Sequence, residues 1–204
     1  MNKVDEIFNK SKSIPDYTKL YFDHLTTVLK NISLLEIENF VNILIQARES
    51  GSTIFYIGNG GSAATASHFA NDIAIGTKTF SNPFRALSLC DNQAIITAIA
   101  NDNGYDEIYS QQLQVLLKEK DVLVAISASG NSPNLLHAIE TTKKMKATTV
   151  AITGFDGGQM KDAADFSIHV PTSHGEYGPA EDAHMILDHL ISNYLMRLIK
   201  SEKV

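Results

Sequence analysis

The 204-residue sequence holds one cysteine, Cys90. A single thiol forms no internal disulfide, and the count suits a reducing compartment. No stretch approaches the ~20 consecutive apolar residues of a membrane helix. The N-terminal MNKVDEIFNKSKSIPDY lacks the apolar centre of a signal peptide. No long basic run occurs, and the formal net charge is -6. Nucleic acid and anionic membranes are therefore not expected partners. Linker-like and low-complexity segments are missing as well. One domain over 1–204 is expected, with the cytoplasm as its location. Hydrophobic residues at 44% and charged residues at 20% are ordinary for a globular chain, and the length allows a sizeable core.

What is present is an alternation of strands and helices. Apolar residues at helical spacing over about 17–50 predict two helices, divided near Asn31 to Ser33 and stopped by Gly51. Short runs rich in β-formers predict strands at Thr53–Ile57, Arg85–Leu89, Asp121–Ile126, Thr148–Thr153 and Phe166–Val170. Helical patterns fall between them, over about Ser62–Ile75, Gln93–Ala100, Glu107–Leu117 and Pro133–Lys146. A long last helix is expected over Pro179–Lys200. This order implies an α/β protein: a three-layer α/β/α sandwich with a central parallel sheet, preceded by N-terminal helices in 1–50. The α/β core then occupies 51–204. Such sheets bind ligands beyond the carboxyl ends of their strands.

Three loops fall at those ends. The first is Gly58-Asn59-Gly60-Gly61-Ser62-Ala63-Ala64. Glycines let backbone approach a ligand closely, and a helix start offers free N–H groups to a phosphate. A tight turn with a capping serine explains the same letters. So does a dinucleotide fingerprint, although Asp91 comes later than that motif requires. The loop lacks the Gly-Lys-Ser/Thr ending of a P-loop. The second loop, Ser127-Ala128-Ser129-Gly130-Asn131-Ser132-Pro133, also leaves a strand and opens a helix. A dinucleotide fold needs one such loop. Two serine-rich loops at neighbouring strand ends suggest hydroxyls and helix-start amides around one phosphate, with no lysine. The third, Thr153-Gly154-Phe155-Asp156-Gly157-Gly158, is expected to be structural.

Taken together, GNGGSA, SHFAND, AIANDNG, ISASGNSPN and AITGFDGG resemble the phosphoheptose isomerases of the SIS (sugar isomerase) fold, in the family's order from about Phe55 to Tyr194. The resemblance implies an aldose–ketose isomerase acting on sedoheptulose 7-phosphate, for heptose synthesis in bacterial surface glycans such as lipopolysaccharide or capsule. It implies a homotetramer with interfacial active sites and one Zn2+ per subunit. By position it assigns Ser62, Ser127, Ser129 and Ser132 to the phosphate, with Asn59, Gly60 and Asp102 lining the substrate pocket. It makes Asp72 and His189 the catalytic pair and assigns His68, Asp72, Glu181 and His189 to the metal, Glu181 also touching substrate. The rival on the same fold is a non-catalytic phosphosugar-binding or replication-initiator-associated protein.

Two departures matter. Asp72 stands where the family has glutamate, and Glu181 where it has glutamine. The first shortens the base by one methylene; a charged Glu181 offsets it in one reading. His68 and Asp72, four apart, share a helix face about 6 Å apart along the axis. Glu181 and His189 are eight apart, about 12 Å on one straight helix. They reach one ion only if Glu181 precedes the helix or the ligands come from different subunits. His184, Asp182 and Asp188 are read as solvated or supporting groups.

Overall fold

The computed structural model describes residues 2–201. Three helices come first: α1 Lys3–Lys10, α2 Ile14–Lys30 and α3 Leu34–Ser50. Each begins at a side chain that takes up a free helix-start amide: Asn2, Ser13 and Ser33 accept from Asp5, Asp16 and Glu36. Gly51, at a left-handed φ of 70°, ends α3. Helix α1 lies outside the helices expected from sequence. Its signal is the reciprocal cap between Asn2 and Asp5, and it is short enough to need tertiary support. Buried Glu176 provides that support. Its carboxylate accepts from the amides of Val4 and Ser173 and lies 3.4 Å from His24 Nε2 on α2.

Five parallel strands follow: β1 Thr53–Gly58, β2 Arg85–Ser88, β3 Val122–Ser127, β4 Thr148–Thr153 and β5 Phe166–His169. Their order across the sheet is β2-β1-β3-β4-β5. Alternate residues face opposite layers. Ile54, Tyr56, Val122, Val124 and Ile126 pack with Phe40 and Leu44 of α3, with Phe69 of α4 (Gly61–Asn71), and with Leu187 and Ile191 of α9 (Tyr177–Ser201). Phe55, Ile57, Leu123 and Ala125 face the other way. They meet Leu113 of α6 (Ser110–Leu116), Leu135 and Ile139 of α7 (Pro133–Lys144) and Met160 of α8 (Gly158–Ala163). With both faces covered, the central strands β1, β3 and β4 are buried almost throughout, while the edge strands β2 and β5 are partly exposed. The remaining helix, α5 Gln93–Asp102, buries no residue.

One expected helix changes character midway. The pattern over Ser62–Ile75 gives an α-helix only to Asn71, and a π-helical turn runs from Asp72 to Gly76. The wider turn adds a residue without breaking the chain of hydrogen bonds, so Phe69 and Ile73, four apart and both buried, read as one continuing helix in sequence.

His184 on α9 is buried at 1% exposure, and burial pushes its imidazole down from 6.5 to about 4. The unfolded chain therefore binds the extra proton between those values. The stability that goes with neutral His184 is present above 6.5 and lost as pH falls towards 4. In urea titrations at pH 7.5 and 5.0, the His184→Gln variant should lose less stability on acidification than the parent chain. Equal losses would show that another group sets the acid sensitivity.

Candidate active site

From β1 the chain crosses to β2 on one side, while β3 lies on the other. This is the reversal of strand order at which open α/β sheets leave a crevice. The first two loops leave β1 and β3 at that crevice, where Gly58 pairs with Ile126. They are joined directly. Asn59 Nδ2 donates to Asn134 Oδ1 and Asn134 Nδ2 donates to Asn59 Oδ1, both at 2.9 Å. Asn134 is 1% exposed. Asn59 Oδ1 also accepts from Tyr105 Oη at 3.0 Å, and Tyr109 Oη donates to the Gly58 carbonyl. Asn59 is thus held by its neighbours as well as facing the crevice.

The helices opening from these loops keep their first amides free of side-chain caps. Gly60 stands at the N-cap of α4, and Ser132 at that of α7 makes no capping bond. Ser62 is buried in the first turn of α4. Ser127 Oγ accepts from the Gly130 amide at 3.1 Å and lies 3.5 Å from Ser129 Oγ. The serines of both loops thus stand beside uncapped helix starts, an arrangement of hydroxyls, amides and helix dipoles suited to a phosphate. The third loop supports the second. Gly130 (φ 64°) packs so closely that a Cβ there would lie 2.0 Å from the Gly157 carbonyl oxygen, and the Met160 amide donates to Gly130 O at 2.9 Å. Only glycine fits such a contact.

From the first loop, α4 and α9 run side by side in the same direction. At one end, Glu181 lies against Gly61: a Cβ on Gly61 would meet Glu181 Oε2 at 2.5 Å. Burial, and then the neighbouring Asp182 charge, raise the Glu181 carboxyl above its ordinary range. At the other end, His189 Nε2 lies 3.2 Å from His68 Nε2. Around this pair stand Asp72, whose Oδ2 is 3.6 Å from His68 Nε2, and Asp188, whose Oδ2 is 4.0 Å from it. One ligand atom from each of the four residues lies within 4.8 Å of the others. Asp188 is 0% exposed and neither of its oxygens has a hydrogen-bond partner. Burial, with the Asp72 charge second, pushes its carboxyl up to about 8. These residues fit a divalent cation. Two nitrogens bound at about 2.0–2.1 Å to a tetrahedral ion stand about 3.3 Å apart, and a buried carboxylate without a partner is uncommon unless something neutralises it.

The expected residues thus fall into groups. Asn59, Gly60 and Ser62 lie on the loop after β1 and Ser127, Ser129 and Ser132 on the loop after β3, at neighbouring strand ends, and His68, Asp72 and His189 gather at the other end of α4. Glu181 sits inside α9 rather than before it, so in one chain it stays with the first loop, away from the His68 and His189 imidazoles. The carboxylate beside Asp72 is Asp188, whose burial excludes the solvated one of its two readings, solvated or supporting. Its signal was an acid adjoining the buried stripe of Ala180, Ala183, Leu187 and Ile191. Asp102 lies exposed at the end of α5, accepting from Asn101 at 2.8 Å. Asn134 ends the quoted ISASGNSPN run without a role read for it, and Tyr105 and Tyr109 carry no sequence signal, because ordinary polar letters gain a role only when two distant loops meet.

A family model described as SIS domain matches residues 20–154. A protein named phosphoheptose isomerase from Helicobacter pylori (strain P12) is 34% identical over 181 residues, covering 88% of this chain and 93% of its own. One of the same name from Mycobacterium bovis (strain BCG / Pasteur 1173P2) is 38% identical over 172 residues, covering 83% and 86%. The solved phosphoheptose isomerase of Neisseria gonorrhoeae superposes with a TM-score of 0.80 at 27% identity, over 90% of this chain and 98% of that one. That of Francisella tularensis shares the fold, with a TM-score of 0.83 at 24% identity over 91% and 99%.

Replacing Asn134 by alanine removes both amide bonds between the loops and leaves Asn59 under-satisfied. The expected cost is about 2 kcal/mol, read as a lower urea midpoint. A roughly tenfold weaker hold on a sugar phosphate, read by calorimetry, should accompany it. Unchanged binding by a folded Asn134→Ala variant would separate the amide pair from the phosphate site.

Proposed function

The chain belongs to the phosphoheptose isomerase family of SIS domain proteins, and from that premise we propose that it converts sedoheptulose 7-phosphate to D-glycero-D-manno-heptose 7-phosphate, a precursor for bacterial surface glycans. The observation that carries this reading is the order of groups along α4. Its start lies beside the loops after β1 and β3, and His68, Asp72 and His189 gather at its other end. His68 stands six helical residues beyond Ser62, a rise of about 9 Å. That separation suits a phosphate at one end of a sugar chain and a carbonyl at the other.

Each residue then has a task. Ser62, Ser127, Ser129 and Ser132 hold the phosphate with the amides of α4 and α7. Glu181, near the first loop, accepts from sugar hydroxyls. Asp72 takes a proton from C1 of the ketose, giving an enediol, and after exchange with solvent delivers a proton to C2. His189 moves the accompanying proton from one oxygen to the other. Nothing is oxidised or reduced overall, so no nicotinamide cofactor is consumed. A Zn2+ ion held by His68, Asp72 and His189 would polarise the substrate carbonyl when bound.

We read the working protein as a cytoplasmic homotetramer with sites between subunits. Exposed Phe8, Ile14 and Phe22 on the N-terminal helices, and an α5 without buried residues, support this reading. They form more apolar surface than a lone chain needs. Asp102, on α5, would then line a site completed at such a contact.

The test is turnover of sedoheptulose 7-phosphate in deuterium oxide, with product analysed by mass spectrometry and NMR. The parent chain should place solvent deuterium on the reacting carbon. Asp72→Asn and His189→Ala should each lose roughly a hundred- to ten-thousand-fold in rate while still binding sugar phosphate. Full deuterium uptake by both variants would remove the two residues from the chemistry. A parent chain that binds the sugar without converting it would favour the binding-protein alternative.

A further inference from the structure

The least expected group in the molecule is Asp188. It is 0% exposed, lies on a helix face packed into the core, and has no hydrogen bond to either oxygen. Its neighbours on the inner side give no relief: the phenol of Tyr56, which lies within reach of its charge, is also fully buried and unpartnered. Its outer neighbours are His68, at 4.0 Å, and Asp72, another acid. An acid so placed destabilises a chain that keeps it empty. The cost is offset if a cation joins it to the imidazoles already converging there.

We propose that Asp188 is a direct ligand of a divalent metal ion, completing with His68, Asp72 and His189 a centre of two histidines and two carboxylates drawn from a single chain. This rests on the reading that a metal works at this end of the groove. It changes the ligand set, because Glu181, seven residues away along α9, is left at the phosphate end. The donors are borderline and hard, which suits Zn2+, Co2+ or Mn2+ better than a thiolate-seeking ion. Asp188 meets the ion from the buried side. Asp72, half-buried and open to the groove, then need not hold the ion alone and is free to take the substrate proton.

The experiment is a competition titration of the full-length protein, stripped of metal, with Zn2+ against a chromophoric chelator, alongside visible spectra of the Co2+ form. The parent chain should bind one ion per chain. Asp188→Asn, of nearly the same volume, should weaken Zn2+ by about 100-fold or more, since even indirect partners of a ligand are worth 10- to 100-fold. Its Co2+ bands should shift. Glu181→Ala, which removes every ligating atom of that side chain, should keep the parent affinity. Asp188→Ala serves as the second variant, and urea unfolding of both metal-free variants checks that they fold. A folded Asp188→Asn chain with parent affinity overturns the proposal and leaves Asp188 a neutral buried acid beside Tyr56. Loss of affinity in Glu181→Ala alone overturns it in favour of the ligand set implied by family resemblance. A parent chain that takes up no metal also overturns it. The deuterium assay with metal-free protein then decides separately whether the isomerase reading stands.

Discussion

The pairing of β1 with β3, from which the chain departs in opposite directions, is the constraint on which the site depends. Parallel strands end together, so two loops distant in sequence emerge side by side. The sheet supplies this placement, and its strands are buried on both faces by α3, α4 and α9 on one side and α6 to α8 on the other. The reciprocal amide bonds between Asn59 and Asn134 then set the spacing that the sheet leaves loose. Each bond is worth only about 1 kcal/mol net. Their value lies in placement, because small displacements of polar groups around a ligand cost more than the bonds themselves.

The active cluster depends on a second pairing, that of α4 with α9. His68 comes from α4 and Asp72 from the turn that ends it, while Asp188 and His189 come from α9, so the cluster exists only while the two helices stay packed. Phe69 and Leu187 belong to the same buried layer and share the task of holding them together. The N-terminal helices add to this from outside. Glu176, directly after the Gly175 turn and at the entrance to α9, is bonded to the start of α1 and lies beside His24 of α2, and Tyr21 donates to Asp182 at 2.6 Å. An arm that looks peripheral in sequence therefore steadies the helix carrying Glu181 and His189.

The sheet and its loops were legible because their causes are local. An apolar β-forming run that ends in glycine or serine fits little besides a buried strand meeting a turn, and a helix start beside it has one main chemical use. The two loops of the proposed phosphate end could thus be placed directly from Gly58 to Ser62 and from Ser127 to Ser132. The far end could not. Asp188 looks like any acid on a long helix until α9 is laid on α4 and the side chain loses its water. The π-turn at Asp72 was hidden because Phe69 and Ile73 keep the four-residue apolar spacing that an α-helix also satisfies. Family resemblance puts Glu181 on the metal, yet it stands a full two turns before His189 on the same helix. Distance along a helix was a sound warning, and the packing partner of each turn was what sequence could not supply.

The common direction of α4 and α9 has a consequence for selectivity. Had they run in opposite senses, Glu181 and His189 would face the wrong ends of their neighbour. With the roles proposed above, running together makes them a gauge, an anion seat at its zero mark and the proton-handling groups at a fixed reading further along. On that proposal the device sorts ligands by extent before it inspects any hydroxyl. A short phosphorylated ketose seated by its phosphate would then fall short of the reading, however correct its stereochemistry.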